Sequence, residues 1–401
     1  MPKIILRPNP TPPPFVPPTP PTPTDNVLTL IARQANSTVQ LTKNGTIEGV
    51  SLEYSIDNGN TYNAYEFGFT ILLDNVGDSV KFRGLNESFS TSLSNYFQFN
   101  LFGQIAAEGD ITSLLNNVGG SVNLTSNCFN NLFRNCTALT QAPNVPSENL
   151  ASACYYNLFM GCTSLVQAPV LPATTLQSSC YAYMFSGCTS LQQAPILPAE
   201  ILANWCYSYM FEGCTSLVQA PILPATTLAE NCYSSLFKGC TSLVQAPILP
   251  ATTLASNCYY SMFEGCTSLT QAPALPVLSL EMNCYQRMFY GCTSLTQAPA
   301  LPATTLKAYC YNFMFANCTS LVQAPELPAT QLLNSCYANM FNGCSSLNYI
   351  KALFTTLSNT GFTRNWVQGV AANGTFVKSS AATWTESGDS GVPSGWTIQT
   401  V

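Results

Sequence analysis

Residues 232–257 read CYSSLFKGCTSLVQAPILPATTLASN, and this stretch of 26 residues decides the fold. Its two cysteines, Cys232 and Cys240, stand eight residues apart, and the next cysteine follows 18 residues later. The same alternation of eight and 18 runs from Cys128 to Cys344 without exception, which gives nine copies of the unit. Such a period indicates a repeat architecture in which neighbouring copies stack and bury one continuous core.

Each copy divides into two halves. The apolar residues of CYSSLFKGC recur with a spacing that places them on one face of a helix, so the first half predicts two helical turns that end at Gly239. In the second half, Leu243 and Ala246 can point inward from a short strand. Pro247 stops that strand after about three residues because proline has no N–H to donate.

Units of helix plus strand with this period are typical of a leucine-rich-repeat solenoid. Phe recurs in steps of 26 from Phe133 to Phe341, and Leu does so from Leu139 to Leu347, which predicts two ladders of like side chains along the core. Strands stack ~4.8 Å apart whereas helices need ~10 Å. We therefore expect the array to curve with its strands on the inner side.

The flanking segments differ in composition. Residues 1–25 contain 11 prolines and predict an extended arm. Residues 26–105 alternate short strands, with Asn58-Gly59 as a hairpin turn, and predict an independent β-sandwich. A connector and N-terminal cap (106–127), the solenoid (128–361) and a C-terminal β cap with three tryptophans (362–401) complete an α+β multidomain chain.

Composition excludes several classes of function. Charged residues make up 8% of the chain, so its surface is mostly uncharged, and the net charge of −6 argues against binding nucleic acid. Apolar residues reach 46%, but no run of 18 of them predicts membrane insertion. Histidine is absent, which removes the imidazole that many catalytic and zinc sites use.

The cysteines are predicted to be reduced and buried. On a helix, residues eight apart lie ~12 Å apart, beyond the ~7 Å limit for a disulfide. Pairing between copies would leave one of the nine without a partner. A spacing of eight without histidine also lacks the clustered ligands of a zinc site, so no metal or cofactor is expected.

No catalytic residue is predicted. The acids of the array occupy unrelated positions within the repeat: Glu148, Glu200, Glu212, Glu230, Glu264, Glu281 and Glu326. Asp57, Asp74 and Asp78 lie near turns, where short acidic side chains commonly cap the backbone. They could also bind Ca²⁺ weakly, although they lack the dense spacing of a dedicated loop.

One outward row attracts attention as a binding surface. Glutamine recurs at Gln167, Gln193, Gln219, Gln245, Gln271, Gln297 and Gln323, beside small uncharged residues. One reading makes this row a flat surface for a host protein or glycan. The other, which we favour on sequence alone, makes it a structural ladder in which the amides hydrogen-bond to one another between copies.

The motif GCTSLxxAPxLPATTL, with CYxxMF ahead of it, resembles the BspA-like leucine-rich-repeat family, and LEYSIDNGNTYNAY followed by GDSVKFRG is similar to a β domain that often precedes such repeats. The resemblance covers residues 26–401. It implies a surface-exposed protein of adhesion and recognition. Family members of this kind are bacterial surface proteins, and similar chains occur as virion proteins of tailed phages that infect gut bacteria.

The N-terminal residues favour the virion over a bacterial cell-surface adhesin. MPKIILRPNP has no apolar core of a secretory signal, and no cysteine precedes Cys128 for a lipid anchor. We expect assembly in the host cytoplasm, display on the virion as a head or tail-associated fibre, and a homotrimer. The residues expected to hold capsid or tail proteins, by adding an edge strand, are Pro2, Lys3, Ile4, Ile5, Leu6 and Arg7.

Overall fold

The computed structural model describes residues 26–401, and the proline-rich arm lies outside the described residues. The first eight strands are β1 (Leu28–Ala32), β2 (Ser37–Asn44), β3 (Glu53–Ser55), β4 (Asn63–Ala64), β5 (Thr70–Leu73), β6 (Ser79–Arg83), β7 (Tyr96–Phe102) and β8 (Ile105–Glu108). They form two sheets, which contain β4-β3-β6-β1-β8 and β5-β2-β7 in spatial order. The strands expected from the alternating pattern up to residue 83 are confirmed.

The two sheets meet through aromatic rings. Phe82 of β6 and Phe99 of β7 lie 5.4 Å apart between ring centroids, and Tyr65 packs edge-on against Phe82 at 5.3 Å. The Tyr65 hydroxyl accepts a hydrogen bond from the backbone N–H of Leu41 at 2.8 Å, which satisfies its buried oxygen. Apolar residues that alternate along the strands thus fill the space between the sheets.

The first sheet continues into the repeats. Its sixth strand is β9 (Leu139–Gln141), which belongs to the first cysteine repeat and pairs in parallel with β8. The ring of Phe99 stacks on Phe133 at 4.9 Å, and the Cys136 thiol donates to the Phe99 carbonyl at 3.0 Å. One hydrophobic core therefore runs through both regions, which does not fit the independence expected for the N-terminal domain.

The predicted helices of the repeats are wrong. The first half of each copy is a chain of tight turns in which every fourth residue is left-handed, as at Asn231 (φ 55), Ser235 (φ 54) and Gly239 (φ 72). Amide groups alternate between two kinds of acceptor: Ser234 N–H donates to the Asn231 carbonyl at 3.2 Å, whereas Ser235 N–H donates to Tyr260 of the next copy at 2.7 Å. The turns are therefore held between copies.

Helical content is correspondingly small. Among residues 26–401 the structure has one short α-helix, α1 (Ser113–Asn116), and one turn of 3-10 helix (Thr360–Thr363). The α part of the predicted α+β class is thus wrong, and the repeats are built from turns and short extended segments. The array was expected to curve because helices would need a spacing of ~10 Å on one side. Successive Phe rings from Phe159 onward lie only 5.6 to 5.8 Å apart, so that reason for a curve is absent from the repeats.

The second half of each copy contains the expected stub of strand. Successive copies pair in parallel at the glutamine position, for example Gln219 with Gln245, and some copies also pair further along, as Thr227 does with Thr253. Pro247 follows two residues later and ends the extended segment, as its missing N–H requires. Longer strands occur only at the ends of the described repeats, in β9 and in β10 (Tyr349–Ala352).

A further turn segment without cysteine follows the last cysteine repeat. The N–H groups of Tyr337, Asn339, Phe341 and Gly343 donate to the carbonyls of Phe362, Arg364, Trp366 and Gln368, which repeats the pattern seen between cysteine copies. Trp366 covers the final rings and lies 6.3 Å from both Tyr337 and Phe341. Two strands, β11 (Thr375–Lys378) and β12 (Thr397–Thr400), extend β10 into a parallel sheet.

Candidate functional site

The interior of the array contains buried cysteines that are not reactive. All 18 cysteines are buried free thiols. From the second copy onward, the second cysteine donates to a Phe carbonyl of the copy before it, as Cys240 does to Phe211 at 3.0 Å. Burial raises the pKa of the Cys188 thiol from its ordinary value of 9.0 to about 12. Because the thiolate is the reactive form, these cysteines are structural and not nucleophilic.

The cysteine chemistry follows from burial and not from helical spacing. From the sequence, a disulfide within one copy was excluded because a helix would hold its two cysteines ~12 Å apart. The chain does not form that helix. Within residues 26–401, no group of three or more Cys, Asp or Glu side chains is placed to hold a metal ion. No helix of those same residues is long and apolar enough to cross a bilayer.

The three aspartates near turns serve local structure. The Asp57 carboxylate accepts hydrogen bonds from the Thr61 hydroxyl at 2.6 Å, the Thr61 N–H at 2.9 Å and the Ser55 hydroxyl at 2.7 Å. These donors, Thr61 first, lower the pKa of Asp57 to about 2. Asp78 accepts from the Asn75 N–H at 2.8 Å, and Asp74 accepts through its backbone carbonyl. Turn chemistry is therefore confirmed for Asp57 and Asp78.

Several acids of the array form ion pairs with neighbouring copies. Glu264 binds Arg287 through two hydrogen bonds of 2.9 and 3.1 Å, and the Arg287 guanidinium lies 4.0 Å above the Tyr290 ring. Glu326 lies 3.0 Å from Lys351. Such pairs join adjacent copies.

The seven predicted glutamines form a continuous exposed row, which we call the Gln row. Neighbours in the row pair through their backbones, from Gln167 with Gln193 to Gln297 with Gln323. Their side chains are exposed, and none of the seven amides forms a hydrogen bond to another group in the described part of the chain. The structural ladder of amides that we favoured from the sequence is therefore wrong.

Two further rows flank the Gln row. The Val row is Val166, Gln192, Val218, Val244, Thr270, Thr296 and Val322, and the Ile row is Val170, Ile196, Ile222, Ile248, Ala274, Ala300 and Glu326. In the Ile row the first four side chains are 68 to 84% exposed. Glu326, already paired with Lys351, is the charged member of the three rows. Together these rows make a surface with one charged side chain, Glu326, which we call the Gln face.

The Ile row changes size at a shallow groove. Ile248 is the last large member of the row and Ala274 is the first small one. Between them lies a groove of ≈ 350 Å³, lined by Gln245, Pro247, Ile248, Gln271 and Ala274 among others. The smaller side chain at residue 274 opens this space on the Gln face.

Aromatic side chains on the turns were missed from the sequence. Tyr183 and Tyr209 stack with parallel rings 4.6 Å apart, and Tyr156 meets Tyr183 edge-on at 5.5 Å. Trp205 is 42% exposed on the same turns. Tyr183, Tyr209 and Trp205 all have positive φ, which bulky residues rarely adopt. The sequence predicts this aromatic cluster only if the first half of each copy is taken as turns, because a helix would place these side chains differently.

The arm residues Pro2 to Arg7 lie outside the described residues, so their predicted anchoring role stays a prediction.

The family model for the BspA type leucine rich repeat region matches six copies, in the overlapping segments 121–244, 155–295 and 279–365. No curated protein matches the chain. Repeats of this type suggest a surface or adhesion protein, and they generally form binding or structural domains and not enzymes. Since the matched segments cover more than half of its length, the chain belongs to the BspA type leucine-rich-repeat family.

Proposed function

We propose that this chain is a non-enzymatic virion protein of a tailed phage that displays its repeat array for adhesion to the host. It assembles in the host cytoplasm, attaches to capsid or tail proteins through Pro2 to Arg7, and presents the array on the particle surface. The array contacts a host surface protein or a glycan. A bacterial cell-surface adhesin with the same repeats is the alternative.

The observation that carries the adhesive role is the Gln face. Its seven amides are exposed and unused within the described chain, so each retains donors and an acceptor for another molecule. Exposed Val and Ile side chains beside them supply apolar contact. An uncharged face of this composition suits a neutral protein surface or a glycan and does not suit a polyanion.

Attachment is tested with full-length chain and purified particles. Deleting residues 2–7 should leave a folded protein that no longer copurifies with particles, because the segment that would add an edge strand is gone. Deleting residues 12–17 instead shortens the proline spacer and serves as the matched control, which should still copurify. If the chain is absent from particles and is found on the bacterial surface, the adhesin alternative holds.

Adhesion is tested with purified full-length chain on host cells. Changing Gln219, Gln245 and Gln271 to Glu keeps side-chain size but places three carboxylates on the Gln face, and should lower cell binding. The matched control changes Gln34, Gln104 and Gln399, which are exposed and lie away from the Gln face, to Glu. Equal binding by both variants and the unmodified chain would contradict the role of the Gln face.

A further inference from the structure

The side chains of the Ile row differ in size between the two halves of the Gln face. Its residues are large from Val170 to Ile248 and small at Ala274 and Ala300. The exposed fraction of the large side chains rises along the row, from 68% at Val170 to 84% at Ile248. One half of the face therefore carries protrusions, and the other half carries the space that protrusions of the same spacing would fill.

We infer that the Gln face pairs with the Gln face of a second copy of this chain, with the two arrays antiparallel. This inference rests on the proposal above that the Gln face is an interaction surface, and it names one partner for it. A twofold axis in the interface, perpendicular to the arrays, brings the same patch of both copies together. Because both copies have the same repeat period, their rows match over many repeats at once.

The groove fixes the register. If the axis passes between the copies that contain Ile248 and Ala274, each Ile248 enters the groove beside the Ala274 of the partner copy. In the same register Ile222 faces Ala300, so that a large side chain again meets a small one. Val244 faces Thr270 and Val218 faces Thr296 in the Val row by the same symmetry. Large side chains thus meet small ones at the two contacts nearest the axis in the Ile row, and side chains of similar size meet in the Val row.

The Gln row gains partners from the same arrangement. The axis that reverses the arrays leaves each Gln row over the Gln row of the second copy, so Gln245 faces Gln271 and Gln219 faces Gln297. An amide is both donor and acceptor and can pair with another amide. Since the described chain leaves these amides without partners, the pairing satisfies groups that a single copy exposes. Glu326 faces Ile196 of the second copy in this register, and its ion pair with Lys351 reduces the cost of covering that carboxylate.

The area of the face predicts a weak dimer. Five residues across the rows span ~16 Å and six repeats span ~29 Å, which gives ~460 Å² per copy and ~900 Å² in total. Stable specific interfaces bury at least ~1,200 Å². We therefore expect a reversible dimer that forms at micromolar concentration or above. Such a dimer leaves the face open to a host ligand that binds more tightly.

The test is sedimentation of the full-length chain from the micromolar to the millimolar range, with no host cells or particles present. The unmodified chain should pass from monomer to dimer. Ile222→Asp should raise the dissociation constant at least ~10-fold, because the carboxylate would be desolvated against the partner. Ile56→Asp, at a side chain that is 64% exposed in the N-terminal domain, is the matched control and should have no effect.

A swap of large and small residues tests the register. Ile248→Ala removes the protrusion and Ala274→Ile fills the groove, so each single variant should weaken the dimer. The double variant restores one large and one small residue at each contact and should recover most of the affinity. Monomer at all concentrations, a trimer, an unaffected Ile222→Asp dimer, or a double variant no better than the singles would each overturn the pairing. Host-cell binding that survives such a result would leave the proposed function standing.

Discussion

The N-terminal domain and the repeat array both contain left-handed turns, but different residue types occupy the left-handed positions. Before the array, in the N-terminal domain and the connector, left-handed non-glycine positions are occupied by asparagine, at Asn36, Asn58, Asn117 and Asn127. In the array, similar positions carry Trp205, Tyr209 and Phe313 as well. The array tolerates them because hydrogen bonds from both neighbouring copies hold each turn. A stacked architecture can therefore use residues that an isolated turn would disfavour.

The largest expected effect is a loss of stability at alkaline pH that acts on the repeat array and not on the N-terminal domain. Every cysteine lies between residues 128 and 344, and burial raises the pKa of Cys154 from 9.0 to about 12 and that of Cys336 to about 11. A raised folded pKa gives stability that is present below pH 9 and is lost as pH rises toward these values, by about 1.4 kcal/mol per pH unit for each thiol ionised only in the unfolded chain. The free energy of unfolding should fall steeply above pH 9.

Tryptophan fluorescence measures this loss selectively, because all four tryptophans lie at residues 205–396, outside the N-terminal domain. Urea unfolding at pH 7, 8, 9 and 10 should show by this signal a midpoint that is constant at pH 7 and 8 and falls from pH 9 to pH 10. A midpoint that stays constant to pH 10 would contradict the buried neutral thiols.

Phe237→Ala should destabilise the array by ~3 to 5 kcal/mol, because it removes a buried ring from the middle of a stack. Phe237 is fully buried and lies 5.7 Å from both Phe211 and Phe263, as the 26-residue ladder predicted. Hydrogen exchange should show lost protection in the neighbouring copies first.

Phe102→Ala provides the control, since that ring is 69% exposed in β7 and its removal should change stability little. Equal loss of protection at β1 and at the copies around Phe237 would mean that the shared core makes one cooperative unit of the two regions.

Cys240→Ala should cost about 0.5 to 1.5 kcal/mol, because the buried Phe211 carbonyl loses its thiol donor and keeps the Cys214 N–H. Cys136→Ala breaks the equivalent bond to Phe99, which lies in the N-terminal domain. It should loosen the junction between the regions as well. Thermal unfolding measures both, and Cys240→Ser, which keeps a donor, should lose less than Cys240→Ala.

The smallest expected effect is a gain. Trp205→Asn should stabilise the chain by about 1 kcal/mol, because the left-handed backbone costs a bulky residue roughly 1 to 2 kcal/mol and costs asparagine less. The reverse change, Asn231→Trp at the matching position of the next copy, should destabilise by more than this, because Asn231 is also buried. A loss of stability in Trp205→Asn would show that packing of the indole outweighs its backbone strain.

The ladders were predictable from the sequence, whereas the local backbone was not. Phe237 and Leu243 are buried as their 26-residue period indicated. The helix prediction failed because Cys232, Leu236 and Cys240 repeat every four residues, and over eight residues a turn of four is hard to separate from a helical turn of 3.6. Asn231, Asn257 and Asn283 before the cysteines were a usable signal, since asparagine favours left-handed positions.

The candidate site divides in the same way. The position of the Gln row followed from the period, but whether its amides pair depended on side-chain directions that spacing cannot supply. The turns at 362–369 could not be predicted from the cysteine period, because they contain no cysteine. Asn365 and Gly369, four residues apart and both left-handed, mark them by the rule that holds in the array.

The regular link between copies has a consequence for how this chain can change length. Each turn donates to acceptors 25 residues further on, as Tyr233 does to Cys258 and Phe237 to Met262. Insertion or removal of 26 residues between like positions restores every one of these links, so the distance between the two ends of the array can change in whole steps while both ends stay as they are. A gain or loss of one residue instead shifts every later donor away from its acceptor. Selection can therefore vary the reach of this protein by duplication far more easily than by small insertions.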